Sequence, residues 1–366
     1  MWNTPSTSSR PRLRRGLIAA VVLALGMLAP SAAAGHRGPV KPKPTNRAVA
    51  QTRATQPATC SKVASPGPGT AQALLNSLAP GQVGCLRGGA YTATGSYVLD
   101  FSNRAVTITS YPGERAVLVG VMVFRNGASG SKLSRVAVEG TGGPTGRSNT
   151  IQILGAADVV IEDSDLTNKW RGRSCLIIGD GSAPAAVRPV IRRNRFHECG
   201  SLGNGNQDHA IYAANVVDGK ITDNLFWNSA AYALQLYPNA QRTLFAHNVV
   251  DGGSPSVTGG VIFGGDSADA SSGNVVEHNV LADSTRYNLE SWWGGAVGTG
   301  NVARSNCLFG GGFGEIGAAN GFAPQGNLVA SPGFVNKGAH DYRLRADSPC
   351  LAVVGYDTAA LLSKLH

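Results

Sequence analysis

The chain has 366 residues, 48 of them glycine, with 42% hydrophobic, 7% aromatic and 15% charged residues and a formal net charge of +10. Low aromatic and charged content with so many glycines marks a chain rich in turns. The charge does not define a nucleic-acid-binding face, because nine of the 32 Lys and Arg lie in the first 59 residues, which hold no acid, leaving 23 bases against 22 acids in the rest.

At the N-terminus, Arg10, Arg12, Arg14 and Arg15 precede the apolar run Leu17 to Leu28, and Ala32-Ala33-Ala34 offers a small-residue cleavage site. Residues 1–34 therefore read as a secretory signal peptide and the protein as secreted and extracellular. The run is shorter than the roughly 20 residues that span a bilayer, so no stable membrane insertion is expected. Residues 35–59 combine Pro39, Pro42, Pro44 and Pro57 with Lys, Arg and Thr and predict a flexible linker. Residues 60–366 form the expected folded domain. It contains all six cysteines, an even number in an oxidising compartment, without a Cys-x-x-Cys, which predicts three disulfides.

Repeats dominate the domain. An apolar residue followed three positions later by a small polar one recurs at Ile161 and Ser164, Ile191 and Asn194, Ile221 and Asn224, Phe245 and Asn248, Val276 and Asn279, and Ala303 and Asn306. VTITSY from Val106 and VAVEGT from Val136 share the apolar pattern without the asparagine. Each copy reads as a short strand ending in a turn. The uneven step excludes a rigid helical array and suits a coil of stacked strands, whose corners accommodate extra residues. Asparagine is expected there because it accepts left-handed backbone angles and its amide can bond to the coil above.

These repeats, together with TAQALLNSLAPGQVGCLRGGAYTATG near the start and LVASPGFVNKGAHDYRLRADSPCLAVVG near the end, resemble the secreted right-handed parallel β-helix proteins of the pectate-lyase-like superfamily. The resemblance covers about Cys60 to Gly355 and implies an all-β fold, a right-handed parallel β-helix with a short N-terminal capping helix. The cysteines fit it: Cys175 and Cys199 stand about one coil apart, Cys60–Cys85 would pin the first coil and Cys307–Cys350 the last. The fold hosts lyases, hydrolases, epimerases and adhesins. The chain has no Asp-Asp pair, Gly-His-Gly, Arg-x-Pro-x-x-Arg or acidic-Pro-His motif, and no Arg-x-Lys in the domain, so the resemblance carries over no complete active site.

The chemistry-bearing residues gather between His197 and Tyr237. Aligning Ala210-Ile211-Tyr212 with Gln235-Leu236-Tyr237, which needs a one-residue gap, turns Ile211 and Leu236 inward and stacks Tyr212 on Tyr237 outside, beside Gln235 and Gln152. Such a pair is either a sugar platform or an ordinary aromatic ladder. β-Elimination on a uronate chain needs a base, an acid and a cation. His209, oriented by Asp208, and Tyr212 are the candidates for base and acid; Arg171, Arg173 or Lys220 would neutralise the carboxylate. Strand alternation, however, puts His209 on the inward face of Ile211 unless the strand begins only at Ala210, so the turn is either site or architecture. Further on, Glu290, Trp292 and Trp293 offer glycan contacts or loop packing. No cofactor is indicated; Glu162, Asp163 and Asp165 are the acids that calcium would use, without forming a clear ligand set. The partner is thus an extracellular polysaccharide met by a monomer that is a polysaccharide lyase or a non-catalytic glycan-binding or cell-surface module.

Overall fold

Runs of three or four residues with an apolar centre form strands here, and small or polar residues between them turn the chain through abrupt corners. In the computed structural model the described residues are 59–354, except 103, 144–145, 182–183, 205–206, 254 and 257. The expected signal peptide and nearly all of the expected linker lie outside them. Successive coils pair in parallel in three sheets, A with 11 strands, B with 10 and C with 10, visited in the order A, B, C on each turn. This is the coil of stacked strands that the repeats predict and the right-handed parallel β-helix that the resemblance implies. Ile161, Ile191, Ile221, Phe245, Val276 and Ala303 are successive partners in sheet A, and all six are at most 1% exposed. They form one wall of a core completed by residues such as Leu166, Phe196 and Phe226 of sheet B and Ile151, Leu176 and Ile211 of sheet C.

Helix Thr70–Ser77 closes the N-terminal end, burying Ala71, Leu74 and Leu75. Near the C-terminus, the antiparallel pair Phe334–Asn336 and Asp341–Leu344 and helix Leu351–Val354 fold back on the outer face of sheet B. Tyr342 and Val354 there cover Leu225, Val249 and Val280, a second small core. The three disulfides are Cys60–Cys85, Cys175–Cys199 and Cys307–Cys350. Among the described residues no helix is long and apolar enough to cross a membrane.

The corner from A to B differs in detail from the sequence reading. The asparagines are not themselves left-handed; the residue before each is, at Arg193, Asp223, His247, His278 and Ser305, as is Asp163 before Ser164. The asparagine points inward instead. The Asn224 amide donates to the Ile191 carbonyl (3.0 Å) and to Asn248 Oδ1 (3.0 Å), while its oxygen accepts from the Asn194 backbone N–H (2.9 Å). Asparagine is therefore used for its amide, which satisfies buried backbone groups that no strand can reach. The ladder runs from Ser164 to Asn327, one rung beyond the repeats read from sequence, and a second, shorter ladder joins Asn274 and Asn301 at the C-to-A corner. The early copy VAVEGT is also misplaced. Ala137–Glu139 lies in sheet B, and the true partner of Ile108 and Ile161 is Leu133. A two-residue corner at Arg135-Val136 carries the alternating pattern across from one sheet to the next, so the pattern alone does not tell them apart.

Candidate functional site

The outer face of sheet C collects most of the residues singled out above. Strands Ile151–Ile153, Leu176–Ile178, Ile211–Val217, Leu234–Gln241, Val261–Gly265 and Tyr287–Trp293 pair in register, so Gln152, Ile177, Tyr212, Gln235, Ile262 and Glu290 form one outward row. Tyr212 is thus level with Gln235, not with Tyr237. The two rings nevertheless stack, diagonally, with centroids 6.4 Å apart and planes at 19°. Glycine makes room for the next step. Gly264 lies beside Tyr237, where a Cβ would come within 3.0 Å of the ring, and the Tyr237 ring leans on to Trp292 at 5.9 Å. Tyr212, Tyr237 and Trp292 therefore make a row of rings along the coil axis, ending in a Trp292 that is 49% exposed. Trp293 turns the other way, half-buried against the core, its indole N–H donating to the Asn320 carbonyl (2.9 Å).

His209 lies beneath this row, 1% exposed. Its Nδ1 accepts the Tyr232 backbone N–H (3.2 Å), so the neutral ring carries its proton on Nε2, and its side chain also hydrogen-bonds to Gln235. Burial pushes its pKa down to about 3 against the weaker opposing effect of Gln235. With its basic nitrogen engaged, His209 is a buried prop that fixes Gln235. Asp208 does not orient it: the Asp208 carboxylate, 1% exposed as a residue, accepts from Asn204 (2.9 Å) and Arg147 (3.3 Å).

Glu290 shares the outward row but is buried, gripped by Arg286 through both oxygens (2.9 and 3.1 Å) and by the Tyr232 hydroxyl (2.6 Å). The Tyr232 ring fits because Gly259 lies under it, where a Cβ would stand 2.2 Å from a ring carbon. Sequence reasoning did not single out Tyr232, Arg286 or Gly259; the spacing Tyr232 to Glu290 is two coils, which becomes contact only through stacking. Arg173, exposed in the corner before sheet C, lies close enough to act on the Tyr212 hydroxyl, and Asp266 acts on both tyrosines. Burial pushes the Tyr212 pKa up to about 12, aided by Tyr237 and Asp266 and opposed by Arg173; burial and Asp266 also raise that of Tyr237. Arg171 is exposed in the same corner as Arg173. Lys220 is separate, in strand Lys220–Thr222 of sheet A.

The acids considered for calcium are already engaged: Glu162 by Lys132, Arg192 and Arg193, Asp163 by Arg193, and Asp165 by an ion pair with Arg115 and a hydrogen bond with His197. Among the described residues no group of three or more His, Cys, Asp or Glu is arranged to hold a metal ion.

Similarity to other proteins lies in the fold and not in the sequence. No curated protein matches the chain. Among solved structures, the pectate lyase Pel9A aligns over 80% of this chain and 91% of its own at 11% identity, with a TM-score of 0.54. The Dettilon tailspike protein aligns over 75% and 60% at 12% identity (TM-score 0.47), and the periplasmic alginate epimerase AlgG over 68% and 62% at 13% identity (TM-score 0.41). The model of the right-handed β-helix region matches residues 120–309, more than half of the sequence, and the chain belongs to that family.

Proposed function

We propose that this is a secreted carbohydrate-active protein whose sheet C face binds an extracellular polysaccharide laid along the coil axis. The observation that carries the reading is the row Tyr212, Tyr237 and Trp292. Strands stack about 4.8 Å apart, so rings on nearby coils offer a repeated apolar surface to pyranose rings. Gln152, Gln235 and Arg173 border it with groups that bond to hydroxyls or a carboxylate. The three disulfides and the Arg-rich apolar N-terminus support export.

A second reading, cleavage of a uronate chain by β-elimination, is supported by the positive charge of Arg173, which acts on Tyr212 through space. Arg173 would neutralise the substrate carboxylate and Tyr212 would exchange the proton, with His209 a positioning residue behind Gln235. A phenol with a pKa near 12 is ionised in only roughly one molecule in 10⁴ at pH 8, so turnover should rise about tenfold per pH unit. The test is incubation with a panel of polyuronates and neutral glycans, following retention by affinity electrophoresis and unsaturated products by absorbance near about 235 nm. Tyr237→Ala and Trp292→Ala should each weaken retention about tenfold with unchanged melting. Tyr212→Phe should stop any turnover and keep retention. Full retention in both ring-deleted variants would place the glycan elsewhere.

A further inference from the structure

The corner from sheet A to sheet B is turned ten times in the described residues, and nine of these corners use two residues. The exception lies between strands Thr107–Ser110 and Ala116–Val119, where the corner takes five, Tyr111 to Arg115. Both flanking strands stay in register with the next coil, Thr109 beside Ser134 and Val117 beside Ala137, so the extra residues cannot be absorbed along the strands. They stand out as a wall. The short corners that follow, at Arg135 and Asp163, lie lower and leave a cleft of about 270 Å³ lined by Tyr111, Arg115, Arg135, Asp163 and Asp165, among others. That is near the lower end of roughly 300–1,000 Å³ for small-molecule pockets, room for one sugar ring and not for an oligosaccharide.

The acids of this cleft are paired. Glu114 is held by Arg87 (2.8 Å), Asp163 by Arg193 (2.6 Å), and Asp165 by His197 (2.7 Å) and Arg115 (3.4 Å). Two guanidinium groups are not. Arg135 donates Nε to Thr109 Oγ1 (3.2 Å) and, among the described residues, forms no ion pair. Arg195, half-buried beside Asp165 on the next coil, makes no side-chain hydrogen bond or ion pair among them and feels Asp165 only at longer Coulombic range. A half-buried guanidinium without a bonded partner is costly, and a bound anion would satisfy it. The lining carboxylates narrow the choice: they repel a multiply charged anion such as phosphate but accept hydrogen bonds from hydroxyls. A singly charged, hydroxyl-rich molecule meets both conditions. Tyr111, its ring covered on one side by Arg87 at 4.3 Å, adds an aromatic edge.

We propose that this cleft, on the corner opposite sheet C, binds a single acidic sugar residue, its carboxylate taken by the lining Arg135 and reached from beyond the cleft's edge by Arg195 on the next coil, and its hydroxyls by the acids of the wall and floor. The proposal does not depend on the sheet C face, and its test removes that face. In a Tyr212→Ala, Tyr237→Ala background, protein-observed NMR titrations with methyl galacturonate and methyl glucuronate should show saturable binding centred on residues 110–115 and 135. Methyl galactoside and inorganic phosphate should bind at least about tenfold more weakly, and Arg195→Gln or Arg135→Gln should weaken the uronates about fivefold or more. Tyr111→Ala, in an exposed turn that bears no core contact, gives an independent variant should either arginine change disturb folding. Absence of uronate binding, equal binding of the neutral galactoside, tighter binding of phosphate, or indifference to all three substitutions would overturn it.

Discussion

Replacing Asn224 by Ala removes one rung from the middle of the inner ladder. The Asn194 backbone N–H, fully buried, loses Asn224 Oδ1 as its acceptor (2.9 Å), an orphaning that costs about 1–3 kcal/mol. The amide bonds to the Ile191 carbonyl and to Asn248 Oδ1 and the bond that Asn194 Nδ2 donates to Asn224 Oδ1, each 3.0 Å, vanish too, although Asn248 Oδ1 still accepts the Asn224 backbone N–H (2.9 Å) and Asn194 Nδ2 keeps the Ile161 carbonyl (3.0 Å). At about 1 kcal/mol net for each of these three further bonds, the whole change should amount to about 4–6 kcal/mol. Asn327 supplies the comparison. It ends the ladder in a half-buried position, bonding to the Asn306 N–H (3.0 Å), and water can replace part of what it provides. Urea unfolding of wild type, Asn224→Ala and Asn327→Ala should therefore rank the losses in that order, the last at about 1–2 kcal/mol. A loss below about 1 kcal/mol for Asn224→Ala, or one no larger than for Asn327→Ala, would show that the ladder does not hold the coils together.

Acid should weaken the fold through His209. Its folded pKa is about 3 against about 6.5 unfolded, so the unfolded chain takes up the proton first; the stability is complete above about pH 6.5 and is lost as pH falls toward 3. Between pH 7 and 5 this amounts to about 2 kcal/mol, measurable by urea unfolding, and His209→Gln should remove that part of the dependence; an unchanged pH difference in the variant would reject the assignment. Opening Cys175–Cys199, whose cysteines are 24 residues apart, by the double change to Ala should cost about 3 kcal/mol without altering glycan retention, since the bridge lies inside the core and away from the ring row.

The repeat exposed the fold because each inward apolar residue must meet its counterpart one coil away, and an uneven step is tolerated only where corners can vary. Six apolar positions therefore located sheet A without further help. What the spacing could not give was the role of the corner. Along the asparagine ladder the first residue of each two-residue corner takes the left-handed angle, so Arg193, Asp223 and His247 bear the conformation while the asparagine that follows bears the hydrogen bonds. The site was legible to the same degree. Tyr212, Gln235 and Tyr237 were found on one face because alternation dictates it. Their diagonal stacking was hidden, since a gap at one residue and the glycine at 264 decide which rings touch. The Asp208-His209 dipeptide looked like a reactive pair because neighbours in sequence suggest contact, whereas stacking gives each a partner from elsewhere: Arg147 and Asn204 for one, Tyr232 and Gln235 for the other.

The left-handed corner residues also carry a rule of parity. Along the C-to-A corners the order is Asp158, Arg188, Asp218, Arg242, and along the A-to-B corners Arg135, Asp163, Arg193, Asp223, each alternating in sign from coil to coil. Arg188 clasps Asp158, Arg242 clasps Asp218 and Arg193 clasps Asp163 at 2.6–2.8 Å. Excising the coil that carries Arg188 and Arg193 would set Asp158 against Asp218 and Asp163 against Asp223, whereas excising it together with the next coil sets Asp158 against Arg242, an opposite pair again. Shortening or lengthening this solenoid should accordingly succeed in steps of two coils, and the penalty for an odd step should fade in strong salt, where like charges on the surface no longer sense each other.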